Sequence, residues 1–113
     1  MISYLRGPIL ETGNRYAVLD MNGIGYKVYT TDDTIHTLNV GQDVVFWAHT
    51  IVREDALDLY GFTSKKERSF FELLIGVSGI GPKSALNILS LVSADTLASS
   101  FRTGSVAHLV KVS

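Results

Sequence analysis

The rhythm of apolar residues changes once along this chain, at Thr63, and the change restricts what the chain can fold into. Before it, short runs rich in β-branched and aromatic residues are separated by turn signals, the mark of strands and hairpins. After it, apolar residues recur at helical spacing. The expectation is an α+β chain in two parts, all-β over residues 1–62 and all-α over residues 63–113. At 113 residues and 46% apolar, it suits one compact domain or two small ones.

In the first part, strands are expected over residues 2–11, 16–21, 24–30, 43–52 and 57–62. Gly7-Pro8 marks a bulge or edge position. Gly13-Asn14 is a turn, and Asn22-Gly23 is a strong hairpin signal. No helical pattern in this part is longer than a turn, and Asp32-Asp33 reads as a solvated turn. Five short strands suggest a small barrel, with an OB-fold the first candidate and a small open sheet or SH3-like barrel the second. Alternation puts Phe46 and Trp47 on opposite faces. Trp47, Tyr26, Tyr29 and Phe46 either stack on bases or pack in the core, and core packing is expected for most of them.

In the second part, Ser64-Lys65-Lys66-Glu67 has the form of a capping box. Phe70, Leu73, Leu74 and Val77 follow at helical spacing. A second helix is expected from Pro82, a favoured first-turn residue, burying Ala85, Ile88, Leu89 and Val92. Asp95 suits the first turn of a third helix reaching Phe101. Thr103-Gly104-Ser105 breaks it before a short fourth. Phe70, Phe71 and the face from Leu86 to Leu89 are core or subunit interface.

Charge divides along the same line. Residues 1–62 carry four basic and eight acidic side chains, a net of minus four; residues 63–113 carry six and three, a net of plus three. A polyanion is therefore expected to meet mainly the second part. No segment is long and apolar enough to span a bilayer, and the start, MISYLRG, lacks the apolar region of a secretory signal. The expected location is cytoplasmic, without a membrane role. With no cysteine, neither a disulfide nor a zinc–thiolate site can form. No cofactor or metal is expected.

The sharpest local signal is GVSGIGPKSALNIL, residues 76–89. A Walker A loop needs lysine directly after its last glycine, where Pro82 stands, and both that loop and the dinucleotide fingerprint follow a strand. Here the preceding run is helical. What remains is helix, tight glycine turn, helix. Gly79 and Gly81 permit unusual backbone angles and close approach of a ligand to the main chain. Ile80 plugs the gap between the helices. The second helix then presents its first free amides, a ready anion site, with Pro82 opening it and Lys83 adding a charge. Such a cradle holds one phosphate and reads no base, so it predicts sequence-independent nucleic-acid binding. An ordinary αα-hairpin with a glycine cap is the bland alternative.

Other candidates are weaker. Glu54 and Asp55, with Arg53, form either a solvated turn between the last two strands or ligands of a nuclease metal, for which local spacing supplies no third partner. His36, His49 and His108 are scattered and read as surface or satisfied histidines. Lys65 and Lys66, with Arg68, are either phosphate contacts or a solvated helical turn, and Arg53 is a further candidate for contact with DNA. Residues 74–78 (LIGVS) are echoed by residues 109–113 (LVKVS), which suggests that the chain ends where a second hairpin would begin.

Four stretches carry a family resemblance: MISYLRGPI, IVREDALDLYGF, SKKERSFFELLIGVSGIGPKSALNILS and VAHLVKVS. In this order, over the whole chain, they resemble the RuvA family of bacterial Holliday junction branch migration proteins. The resemblance implies an N-terminal OB-fold and a middle domain with two helix-hairpin-helix motifs. It further implies a linked C-terminal domain that contacts the RuvB motor ATPase. The second hairpin and that last domain are expected to be missing here. It gives Glu54 and Asp55 the role of an acidic pin at the centre of a homotetramer, alone or as two stacked, holding four-way junction DNA flat and open. Like charge there repels backbone phosphates. The implied function is a non-catalytic subunit in recombination, repair and the SOS response, working with RuvB and the RuvC resolvase, with no ATP site of its own. A helix-hairpin-helix glycosylase or nuclease, and an OB-fold protein-interaction module, are the alternatives.

Overall fold

The computed structural model describes residues 1–91. Val92, the helices expected around Asp95 to Phe101 and after Ser105, His108 and the echo at 109–113 lie outside the described residues. Chain contacts divide the molecule into a unit of Met1–Arg68 and a second unit beginning at Ser69.

The first unit is a closed barrel of β1 (Tyr4–Gly13), β2 (Tyr16–Met21), β3 (Ile24–Tyr29), β4 (Asp43–Val52) and β5 (Leu57–Phe62), ordered β1-β2-β3-β5-β4. β1 closes it by pairing with two partners. Tyr4 to Pro8 run against β4, and Ile9 to Gly13 against β2. The handover is an irregularity between Ile9 and Glu11, where Leu10 is the extra residue. The bulge expected at Gly7-Pro8 thus falls just after it. Pro8 stands at the last pair of the β4 ladder, opposite Asp43, where its missing N–H interrupts nothing further. β3 and β5 pair in parallel through Val28 and Leu59, which completes the OB-type barrel rather than an open sheet.

The turns follow their residues. Asn22 and Gly23 take φ of 57° and 87°, the left-handed pair that a two-residue hairpin loop needs. In the β1–β2 turn the loop is Asn14-Arg15, one residue later than expected, and Arg15 is left-handed at φ 63°. Its side chain reaches Asp32 at 3.2 Å.

Asp32 and Asp33 are not a solvated turn. They open a short helix, α1 (Asp32–Thr37), capped by the Thr31 hydroxyl, which accepts from the Thr34 amide. Two acidic residues in a first turn suit the positive end of a helix. Six residues are too few for apolar periodicity to register, so the cap was the only readable signal.

The core holds Leu5, Ile9, Ala17, Leu19, Val28, Val44, Phe46, Ala48 and Leu59. Phe46 is fully buried, and removing such a ring from water contributes about 2 kcal/mol. Tyr26 packs against this core, but Trp47 and Tyr29 are only half-buried and lie outside it. The expectation that most of the four aromatics are core therefore holds for two. Aromatic rings also pair outside this cluster: half-buried Tyr29 lies tilted against the buried Tyr60 at 5.5 Å, and Tyr4 meets Trp47 edge-on at 4.9 Å.

Helix α2 (Lys65–Ile75) begins at the capping box: the Ser64 hydroxyl accepts from the Glu67 amide at 3.1 Å. The Glu67 carboxyl takes its backbone hydrogen bond from Thr63. Within the second unit, α2 buries Phe70, Phe71 and Leu74, while Leu73, expected inside, is 52% exposed. Helix α3 (Pro82–Leu91) starts at the expected proline and buries Ala85, Leu86, Ile88 and Leu89.

Candidate nucleic-acid interface

Two turns collect the residues singled out by sequence, one in each unit. The first joins α2 to α3. After Ile75 the backbone tightens: the amide of Gly76 donates to the carbonyl of Leu73, that of Val77 to Leu74, and that of Ile80 to Val77. Gly79 then takes φ +89°, which L residues resist. Ile80 turns inward and is buried. Gly81 accepts from the Ala85 amide at 3.0 Å and so caps α3.

The two glycines are glycine for different reasons. Gly79 is required by its backbone angle. Gly81 has no positive φ, and a Cβ built there meets nothing within 4 Å. Among the described residues, neither the turn nor the packing asks for a bare backbone at Gly81. Its exposed position leaves the approach to the first turn of α3 open, and Lys83 stands exposed on that same turn. First-turn amides have no intrahelical acceptor, and the helix dipole favours an anion beside them.

The second turn joins β4 to β5. Val52 pairs with Leu57, and beyond them Arg53 and Ala56 exchange backbone hydrogen bonds, leaving Glu54 and Asp55 as a two-residue tip. Neither tip residue is left-handed, and both are exposed. The Arg53 guanidinium does not point its charge at the tip. It pairs across the hairpin with Asp58. The tip is thus two adjacent carboxylates with their nearest cation already engaged.

Lys65, Lys66 and Arg68 are on the first turn of α2. Lys65 Nζ lies 4.8 Å from the centre of the Trp47 ring and the Arg68 guanidinium 5.7 Å from it. Arg68 also donates to the Ser3 carbonyl at 3.1 Å. Two members of this basic cluster therefore pack on the barrel wall, a role that no local sequence signal announced. A comparable site missed by sequence is Lys27, placed over the rings of Tyr16 and Tyr29, which face each other across β2 and β3.

Burial pushes the Glu67 carboxyl above its ordinary range, and the charge of Asp33 adds to this, against the backbone hydrogen bond from Thr63. Burial likewise raises Tyr60, helped by Asp58 and Tyr29 and opposed by Arg53. His36 is exposed on α1, and His49 is half-buried on β4. Among the described residues no three His, Cys, Asp or Glu side chains are grouped as metal ligands would be. No described helix is long and apolar enough to cross a membrane.

Comparison with known proteins bears on both turns. The family model described as RuvA N terminal domain matches residues 1–61, and the one described as SAM-like helix-hairpin-helix tandem matches residues 71–113. The Holliday junction branch migration complex subunit RuvA of Chloroflexus aggregans is 45% identical over 113 residues, covering 99% of this chain and 58% of that protein. The subunit of the same name from Bdellovibrio bacteriovorus is 48% identical over 92 residues, 80% of this chain and 47% of its own. That from Renibacterium salmoninarum is 42% identical over 112 residues, 99% and 52%. The chain spans about half the length of the curated relatives it matches.

Proposed function

This chain belongs to the RuvA family, and from that premise we propose that it binds four-way junction DNA as a non-catalytic subunit of a branch migration complex. The observation that carries the reading is the bare, exposed cap at Gly81. It leaves the first amides of α3 open beside Lys83 although the fold does not need glycine there. Gly79, Ile80, Gly81, Pro82 and Lys83 form a backbone cradle for one phosphate. Gly79 sets the turn, Ile80 anchors it inside, and Pro82 starts the helix without an amide to block.

Glu54 and Asp55 act in the opposite sense. Exposed on a rigid strand hairpin, they repel phosphates and hold duplex arms off the crossover. Arg53 is tied to Asp58 and steadies the hairpin, so its part is to position the tip. Lys65 and Lys66 add positive charge at the start of α2, Lys65 while resting on Trp47.

The wider reading is part of the same proposal. The subunit works as a homotetramer, singly or as two stacked, in the cytoplasm, with the RuvB motor supplying the energy and the RuvC resolvase acting on the same junction. The relatives, named as subunits of a Holliday junction branch migration complex, favour a branch migration role over a glycosylase or nuclease.

The test is a fluorescence-anisotropy titration of a four-way junction against a linear duplex of equal length, at low and moderate salt. Junction preference that weakens with salt is expected. Equal, weak binding to both ligands would keep the phosphate cradle and remove junction recognition from this chain. No binding to either by folded protein would overturn the reading.

A further inference from the structure

The inward stripe of the barrel runs on past the barrel. Along β4 the alternate residues Val44, Phe46, Ala48 and Thr50 are buried, and Thr50 faces the buried Leu59 on β5. One pair further towards the tip, period two puts Val52 and Leu57 on the same face, directly opposite each other. They are 62% and 56% exposed. The core-type pattern therefore continues one step beyond the core. The other face of the hairpin carries the Arg53–Asp58 ion pair, and the tip carries Glu54 and Asp55. A single exposed leucine needs no explanation. Here an apolar cross-strand pair stands immediately behind two carboxylates.

We infer that the Val52–Leu57 pair is an apolar wedge that covers nucleobases unstacked at a junction crossover. The inference deepens the function proposed above and rests on it. The tip decides which part of a nucleic acid can approach. Phosphates are repelled by Glu54 and Asp55, and neither Val52 nor Leu57 can donate to one. The uncharged surfaces of DNA are its sugars and base faces, and a base that has lost its stacking neighbour gains most from apolar cover.

The experiment places 2-aminopurine, which brightens when unstacked, either beside the crossover or within an arm of the junction. Saturating protein is expected to brighten the crossover label and leave the arm label unchanged. Val52→Ser/Leu57→Ser should lose the crossover signal and bind the junction roughly fivefold more weakly, because apolar cover of the unstacked bases is lost, while its binding to linear duplex, which has no crossover, stays that of the parent. Val52→Ile/Leu57→Ile, apolar and β-branched, should keep both. Melting curves for all three proteins establish that they are folded. Crossover brightening that is equal in the serine variant and the parent overturns the wedge and leaves junction binding intact. A drop in oligomeric state of the serine variant, measured by light scattering, overturns it in favour of an interface between copies. Absence of junction preference in the parent overturns the proposed function and the wedge with it.

Discussion

The two turns that carry the candidate residues are made in opposite ways. The β4–β5 turn displays side chains: Glu54 and Asp55 stand exposed with ordinary backbone angles and no glycine. The α2–α3 turn withholds them: Gly79 and Gly81 leave main chain bare, and Ile80 is drawn inside. One offers negative charge to a polyanion and the other offers amides and a lysine. What the contrast teaches is that a turn's tip is where the fold asks least of its residues. Barrel pairing fixes the register up to Val52 and Leu57, and helix packing fixes Ile80 and Ala85. The residues between are left for another purpose to choose.

The largest effect should come from filling the bare cap. Gly81→Asp puts a carboxylate where the phosphate is proposed to sit, and lets it take the same amides. Junction binding should fall by on the order of 30-fold, about 2 kcal/mol, the worth of a charge-assisted hydrogen bond lost. Stability should hold or rise by a few tenths of a kcal/mol, because Asp is a good helix cap. Gly79→Ala should do the reverse in stability. Its φ of +89° costs a side chain roughly 1–2 kcal/mol, so the melting temperature drops. If both glycines behave alike, the distinction between a glycine held by backbone strain and one held by a ligand fails. Lys83→Gln is a smaller step. Binding should weaken by about 1 kcal/mol, equally for all sequences, with the salt slope shallower by about one. Titrations at three salt concentrations check it.

The acidic tip sharpens the contrast from the other side. Glu54→Gln/Asp55→Gln removes repulsion without removing a contact. Linear duplex should then bind about threefold more tightly at low salt, the gap to the junction should narrow, and the gain should fade as salt screens the charges. Duplex binding that weakens instead would mean that the tip attracts DNA.

How much of this was legible in the sequence differs between the turns for the same physical reason. Helix starts are written in side chains: Ser64, Glu67 and Pro82 announced α2 and α3 correctly. The glycine turn was legible as a turn, but not the division of labour between Gly79 and Gly81, which depends on φ and on empty space around a missing atom. Strand alternation put Phe46 and Trp47 on opposite faces without saying which is inside, and the barrel buries Phe46. Alternation also puts Tyr26 on the face of the buried Val28 and Tyr29 on the opposite one, but it does not give Tyr29 its neighbour Tyr60 on β5. Helix α1 was lost because six residues carry too little periodicity to outweigh Asp32 and Asp33, which read as solvent-loving. The pin role proposed for Glu54 and Asp55 rests on family resemblance alone, because three charged residues in a turn look the same whether or not anything is meant to meet them. The pairing of Arg53 with Asp58 was not legible, because Asp58 becomes its neighbour only when β4 and β5 pair.

The smallest expected effect separates these exposed carboxylates from a third, Glu67. Its amide completes the cap of α2, but its carboxyl is held above the ordinary range by burial first and by the charge of Asp33 on α1 second, opposed by the Thr63 hydrogen bond. A carboxyl raised on folding favours the protonated form. Its contribution to stability is therefore fully present below the ordinary glutamate range and is lost as pH rises through the raised value. Glu67→Gln keeps the shape and the capping geometry while removing the charge. The variant should melt higher than the parent at neutral pH, with the difference closing as pH falls below the ordinary glutamate range. Parallel thermal melts at pH 4 and pH 7 measure it. A constant difference between the two pH values would show that the ionised carboxyl costs nothing on folding. The Thr63 bond and the positive end of α2 would then outweigh burial, and Glu67 would belong with the favourable first-turn acids rather than with a strained joint.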